Sequence, residues 1–209
     1  MDLDITHLVA LAAALGWASG LRLYAVVFLT GMAGHLGLVS LPPGLQVLER
    51  PMVLWASGAM VAIEFVVDKV PWLDSLWDAL HTLIRIPAGA MLAASVFGGD
   101  HESWRVVAGL LGGTLAATSH VAKASTRAAV NTSPEPFSNI ALSLSGDATV
   151  PSMLWLAWVH PGVFLVVLVV ATVAMVVMTV RLFRFVNLTA SRIRRRLAGA
   201  PSSASSRGR

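Results

Sequence analysis

The sequence predicts an all-α fold: a polytopic transmembrane bundle of about six helices with interrupted or re-entrant segments. Three observations predict it. Hydrophobic residues make up 56% of the 209 residues and charged residues only 12%, about half the charged share of a soluble domain. Mean hydropathy is +0.74. The apolar residues also fall in long runs, of the order of the roughly 20 that one helical crossing of a bilayer takes. The chain has no cysteine, which excludes disulfides, thiolate metal sites and cysteine nucleophiles.

The first apolar run, Ile5 to Val39, would be roughly 50 Å long as one helix, too long for a hydrocarbon core of about 30 Å. It must break. The break belongs at Ala18-Ser19-Gly20-Leu21-Arg22, where small residues and a charge interrupt the run, giving a short first helix and a longer second one. Asp2 and Asp4 precede the run and no basic residue does. A cleavable signal peptide has the opposite charge, so this helix is expected in the mature protein. Gly31, Gly34 and Gly37 offer the second helix a small-residue face for close packing. Leu41-Pro42-Pro43-Gly44 ends it.

A third helix is predicted from Pro51, a favoured first-turn residue, to Val70, and a fourth from Leu73 to Phe97, closed by a polar loop through Glu102. A fifth runs from Trp104 to Val130, with Gly109, Gly112 and Gly113 on its packing side. Asn131 to Val150 is too polar to face lipid yet lies between apolar stretches, which predicts a re-entrant or bundle-enclosed segment. Met153 to Val159 is a short apolar lead-in, ending at His160-Pro161, to a last helix over Gly162 to Arg184. A weak internal repeat pairs Ser19-Gly20-Leu21-Arg22 with Ser125-Thr126-Arg127, each a small-residue patch and an arginine inside an apolar run.

Two domains follow: a transmembrane helical domain over residues 1–184 and a basic tail over 185–209. Eight arginines, from Arg181 to Arg209, follow the last apolar run with no acidic residue among them, leaving 7 basic against 11 acidic residues before them. Such a cluster beside a span attracts anionic lipid head groups and marks a cytoplasmic C-terminus, and nucleic acid is not the expected partner. Phe183, Phe185, Val186, Ile193 and Leu197 interleave with the arginines, as in an interfacial amphipathic helix. Pro201 to Arg209 has a disordered composition. The expected setting is the inner membrane.

Ten ionisable residues fall within or at the ends of the predicted spans: Arg22, Glu64, Asp68, Lys69, Asp74, Asp78, Arg85, Lys123, Arg127 and Asp147. Facing lipid, they would cost roughly 25 to 35 kcal/mol at about 2.5 to 3.5 each. Five acidic and five basic, they can cancel instead. Glu64 and Asp68 share one helix face, as do Asp74, Asp78, His81 and Arg85 on the next helix, and His120, Lys123, Arg127 and Asn131 on the one after. Two acidic stripes opposite a basic one predict a network at the bundle centre.

Intramembrane charges of this kind mark ion or polar-solute pathways. In that reading Glu64 and Asp68 bind the ion or proton, while Lys69, Arg85, Lys123 and Arg127 keep the empty path neutral or contact an anionic group on a solute. Asn139 and Asp147, in the polar segment, extend the candidate path, and the prolines flanking Glu135 force extended or turn geometry there. An alternative is a structural or assembly protein in which the same network only locks the helices. A third, a lipid-modifying enzyme, would use Asp74, Asp78 and His81, but no His-Glu-x-x-His or Gly-x-Ser-x-Gly signature occurs. The reading is therefore of a non-enzyme without cofactors. Oxygen and imidazole ligands are present for a metal, yet no compact metal motif joins them and Lys69, Arg85 and Lys123 oppose one. His7, His35, His101 and His160 sit near helix ends, and the tryptophans read as interface anchors. Oligomeric state is open, a homo-oligomer included.

The stripes coincide with a wider pattern: Ser19-Gly20-Leu21-Arg22; Glu64-x-x-x-Asp68-Lys69-x-Pro71-x-x-Asp74-x-x-x-Asp78; Arg85; and His120-x-x-Lys123-Ala124-x-x-Arg127-x-x-x-Asn131-x-Ser133-Pro134-x-Pro136-x-x-Asn139. With these elements the chain resembles the bacterial integral membrane family catalogued as domain of unknown function 4126, over roughly Leu8 to Val180. The resemblance implies a multi-pass membrane protein and no particular substrate. Where an acidic pair would be expected near Asp147, this chain has Gly146-Asp147.

Overall fold

The computed structural model describes residues 4–70, 72–98, 102–131 and 136–198, with the side chains of 136, 186, 187 and 189–198 left aside. Outside the described residues lie Asp2, Pro71, His101, the Pro134-Glu135 centre of the polar segment, the arginine side chains beyond 184 and the tail from 199 onward. The described elements are helical: α1 (Ile5–His35), a 3-10 turn (Pro43–Glu49), α2 (Pro51–Val67), α3 (Leu73–Val96), α4 (Glu102–Val130), α5 (Pro136–Val159) and α6 (Pro161–Ala198). By length and composition α1, α3, residues 137–159 of α5 and 161–185 of α6 can cross a membrane. The 3-10 turn and α2, bent by 69° to each other, make a fifth candidate.

The first half of α1 is the axis of the bundle. Ala10 to Leu15, Trp17 and Ala18 are all buried, because alanine and glycine on every side let neighbouring backbones close in from every direction. Gly16 meets the backbone of Gly112 on α4, and Gly20 meets the Ala116 carbonyl and the Ser119 hydroxyl, so that a Cβ at either position would collide. Trp17 is core here, where the sequence suggested an interface anchor, while Trp55, Trp72 and Trp155 are exposed.

The expected break falls at Arg22, whose φ of −149° and ψ of 82° leave the helical region. The chain doubles back there. Leu11 of the first half lines one apolar cleft with Leu29, Thr30 and Ala33 of the second, positions that would be almost 30 Å apart along a straight helix. The Ser19 hydroxyl bonds back to the Leu15 carbonyl at 2.5 Å, a competing bond that helps bend a helix just before a break. The second half, ending at His35, is the shorter one, contrary to expectation. It stops early because Gly37, at φ +68°, closes it: Gly37 N–H bonds to the Gly34 carbonyl and Leu38 N–H to the Ala33 carbonyl, both at 2.9 Å, a Schellman cap. Gly37 is thus a cap and not part of the packing face. Gly31 and Gly34 do pack, against Leu48 and against Leu41 and Glu49.

A second difference concerns the polar stretch after Asn131. No re-entrant loop forms from Pro136 on. The polar segment and the apolar lead-in are one helix, α5, continuous through Pro151. It can face both ways because Asn139 and Ser143 turn inward, while the hydroxyls of Ser145, Thr149 and Ser152 bond to carbonyls of their own helix. α6 buries Phe164 and Leu168 and exposes Val166, Val169, Val170 and Val173. Its backbone runs on without a break to Ala198, through the stretch expected as an interfacial helix.

Candidate intramembrane charge network

The α1 turn, the C-terminal end of α2, the first half of α3, the last half of α4 and the first half of α5 converge at one end of the bundle. All ten ionisable residues of the predicted set meet there in one connected network. At its centre Asp68, fully buried, receives Arg22 from α1 at 3.0 Å and Arg127 from α4 at 2.9 Å, with Lys123 at 3.4 Å. The two arginines of the proposed repeat therefore share one carboxylate, though Arg22 breaks its helix and Arg127 lies within one.

Deeper in, Arg85 is fully buried and bridges Glu64 at 2.5 Å and Asp78 at 2.6 Å. Lys123 links the two halves, 3.3 Å from Asp78 and 3.9 Å from Glu64, and donates to the Leu21 carbonyl at 2.9 Å. Arg127 also lies 3.4 Å from Asp74 and 3.7 Å from Asp78. Toward the rim, Asp147 pairs with Arg22 at 2.9 Å and Lys69 at 3.6 Å. Lys69 also lies over the Phe65 ring. Five carboxylates face five cations, and the formal charge sums to zero, as burial demands.

Helical spacing explains the convergence. Asp74, Asp78, His81 and Arg85 form the buried side of α3, with Gly89 and Ala93 continuing it. The same face is thus polar at one end and close-packed at the other. Asn131 donates to Asp74 at 3.0 Å and to Ser75 at 2.9 Å, and the Asn139 amide lies 3.5 Å from the Asp68 carbonyl.

The histidines stand at the inner edge. His81 Nδ1 donates to the Trp77 carbonyl at 2.8 Å, leaving Nε2 to accept from Tyr24 at 3.1 Å, and the ring stacks on Trp77. His81 is therefore held beside the ion network and not within it. His120 Nε2 lies 2.7 Å from Thr82, whose hydroxyl donates to the Asp78 carbonyl at 3.0 Å, and His120 Nδ1 lies 3.5 Å from Arg85. These bonds are mutually consistent with a proton on His120 Nε2 and an acceptor at Nδ1.

Tyr24, Thr82 and Ser75 also belong to the site and were not singled out from sequence. Ser143 takes Arg22 on both its carbonyl and its hydroxyl, at 3.1 Å each. Thr82 lies four residues beyond Asp78, on the same stripe, so its spacing was an available signal. Tyr24 is the chain's one tyrosine, and nothing in its spacing ties it to His81.

Several buried acceptors receive no hydrogen bond among the described residues: Glu64 Oε2, Asp74 Oδ2, Asp78 Oδ2 and Asn139 Oδ1. No group of three or more His, Asp or Glu side chains among the described residues is arranged to hold a metal. The cations interleaved with the acids keep the carboxylates apart.

Residues 9–181 match the family described as a domain of unknown function (DUF4126). No curated protein and no solved structure matches the chain.

Proposed function

Since the chain belongs to the DUF4126 family, whose description assigns no activity, we propose its function from its own residues: a small-solute or ion transporter of the inner membrane, C-terminus cytoplasmic, with the charge network as its pathway. The observation that carries this reading is the set of buried oxygens on Glu64, Asp74 and Asp78 that accept no hydrogen bond among the described residues, those of Asp74 and Asp78 facing Arg127 only as looser ion pairs, inside a network built around a broken helix. Broken helices bring backbone groups to transport sites in membrane proteins, and buried carboxylates with spare acceptor capacity can take a proton or cation when a neighbouring ion pair opens. The route runs from the rim at Asp147 and Lys69, past Asp68, to Glu64 and Arg85.

One observation favours a second reading, a structural lock. Arg85 is fully buried between Glu64 and Asp78, so transport requires that pair to separate. Flux through proteoliposomes decides between them. With protons, monovalent cations and small organic acids supplied in turn, the transporter reading expects flux that Glu64→Gln abolishes while the purified variant stays folded. Absence of flux for every solute, with Glu64→Gln lowering stability alone, leaves the lock.

A further inference from the structure

We propose that a cleft beside Arg22 binds an amphiphilic anion, a carboxylate or phosphate head bearing an alkyl chain, and that this anion enters together with one proton, taken by Asp68. The proposal rests on the transport reading for its purpose and names the class of solute.

The cleft measures about 140 Å³ and is lined by the α1 turn, α4, α5 and α6. Its size resembles that of an apolar cavity of about 150 Å³ that takes up benzene. The charged side chains that line it are Arg22, Lys123 and Arg127, and none of the network's five carboxylates does. Much of the remaining wall is apolar, with Leu142, Met175 and Met178 prominent. Three cations in a greasy wall suit an anionic head on an alkyl chain, and methionine adapts to such chains.

Coupling follows from the partner these cations share. Asp68 Oδ2 lies 3.0 Å from Arg22, 2.9 Å from Arg127 and 3.4 Å from Lys123. An anion arriving in the cleft competes with Asp68 for all three. The network is already neutral, so an added anion would leave an uncompensated buried charge. A proton on Asp68 restores neutrality. Its surroundings single it out: Asp147 on α5 faces Arg22 alone of the three, Asp74 on α3 faces Arg127, Asp78 on α3 and Glu64 on α2 are also held by Arg85, and the Asn139 amide of α5 touches the Asp68 backbone.

The test is equilibrium binding to the full-length protein in phosphatidylcholine nanodiscs, with empty nanodiscs as background. Decanoate and decyl phosphate are titrated calorimetrically in buffers of different ionisation enthalpy, which counts protons. Both are expected to bind saturably, decanoate with uptake of one proton per anion and decyl phosphate, which is closer to a dianion at neutral pH, with up to one more that returns its head to the monoanion. Acetate should bind at least about tenfold more weakly, since two buried CH2 groups account for that factor. Met175→Trp, which fills the cleft without touching the ion pairs, should abolish binding, and Asp68→Asn should bind decanoate without proton uptake. Phosphatidylglycerol co-purifying by native mass spectrometry and displaced by decanoate would identify a lipid as the source, and its absence a free amphiphile. No saturable binding, binding indifferent to Met175→Trp, or acetate binding as well as decanoate would overturn the site. Binding without any flux would sink the transport reading and leave the site standing.

Discussion

The Lys123 ammonium caps the Leu21 carbonyl at 2.9 Å, the residue just before Arg22 turns the chain. A cation on the C-terminal end of a half-helix satisfies a carbonyl that the break frees and complements the helix dipole. The same ammonium lies within 4 Å of Glu64, Asp68 and Asp78. Lys123→Met therefore removes the cap and leaves the network one negative charge in excess. Loss of one partner from a buried ionic cluster costs about 3 to 5 kcal/mol. Thermal unfolding of the detergent-solubilised protein should show a large drop in midpoint, and an unchanged midpoint would mean that the α1 turn holds without Lys123.

Arg85 supports a sharper test, because charge balance and hydrogen bonding can be separated. Arg85→Gln removes the cation that bridges Glu64 and Asp78 and leaves Lys123 as the counter-charge they share in a buried network one negative charge in excess, and the expected cost is again about 3 to 5 kcal/mol. The double variant Glu64→Gln/Arg85→Gln removes one charge of each sign. It should recover much of the loss, giving a double-mutant coupling of about 1 kcal/mol or more, within the range for residues of one ionic network. Additive single effects would mean that neutrality is not what holds the network together.

The meeting of these charges was legible in the sequence because two independent constraints agree. Charges inside apolar spans must find partners, and spacings of three and four place Asp74, Asp78, His81 and Arg85 on one helix face. The break at Arg22 was legible from length. The direction of the chain after the break was not, because a single non-helical residue can either bend or reverse a helix, and only tertiary contacts such as Gly31 on Leu48 choose. Local composition also misled at Asn131 to Val150. Its polarity suggested a re-entrant or bundle-enclosed segment, but Ser145, Thr149 and Ser152 spend their hydroxyls on their own helix. Gly37 shows the same limit from the other side: a glycine that completes a spacing pattern with Gly31 and Gly34 serves as a cap.

The glycines of α4 grade the helix contacts. A Cβ on Gly112 would run into Ala93 and approach the Gly89 carbonyl to 2.9 Å, whereas one on Gly109 would meet Ala94 Cβ at an ordinary 3.5 Å. Gly113 is intermediate, at 3.2 Å from Ala90 Cβ. Gly112→Ala is expected to destabilise by about 1 to 3 kcal/mol through overpacking. Gly109→Ala should be neutral or stabilising by about 0.5 to 1 kcal/mol, the helix-propensity gain of alanine over glycine. Unfolding midpoints of the three alanine variants should rank Gly109, Gly113, Gly112 from most to least stable. A Gly112→Ala variant as stable as Gly109→Ala would show that α3 and α4 do not cross this closely.

The N-terminus of α1 supplies a pH dependence. Asp4 is the N-cap, its carboxylate accepting the His7 backbone N–H at 2.8 Å, with the His7 ring at the same distance. The backbone bond foremost, and the ring contact after it, hold the Asp4 carboxyl below its ordinary value. The cap's charged form is therefore favoured in the folded state. Its contribution is complete above the unfolded carboxylate value of about 3.9 and is lost as pH falls through the lower folded one. Because Asp4 is exposed, the effect is confined to fraying of the first turn. Amide exchange should be faster at His7 in Asp4→Ala than in the native chain at neutral pH, and the difference should shrink as the pH drops below about 4. A difference that persists undiminished to strong acid would assign the protection of this turn to packing and not to the carboxylate.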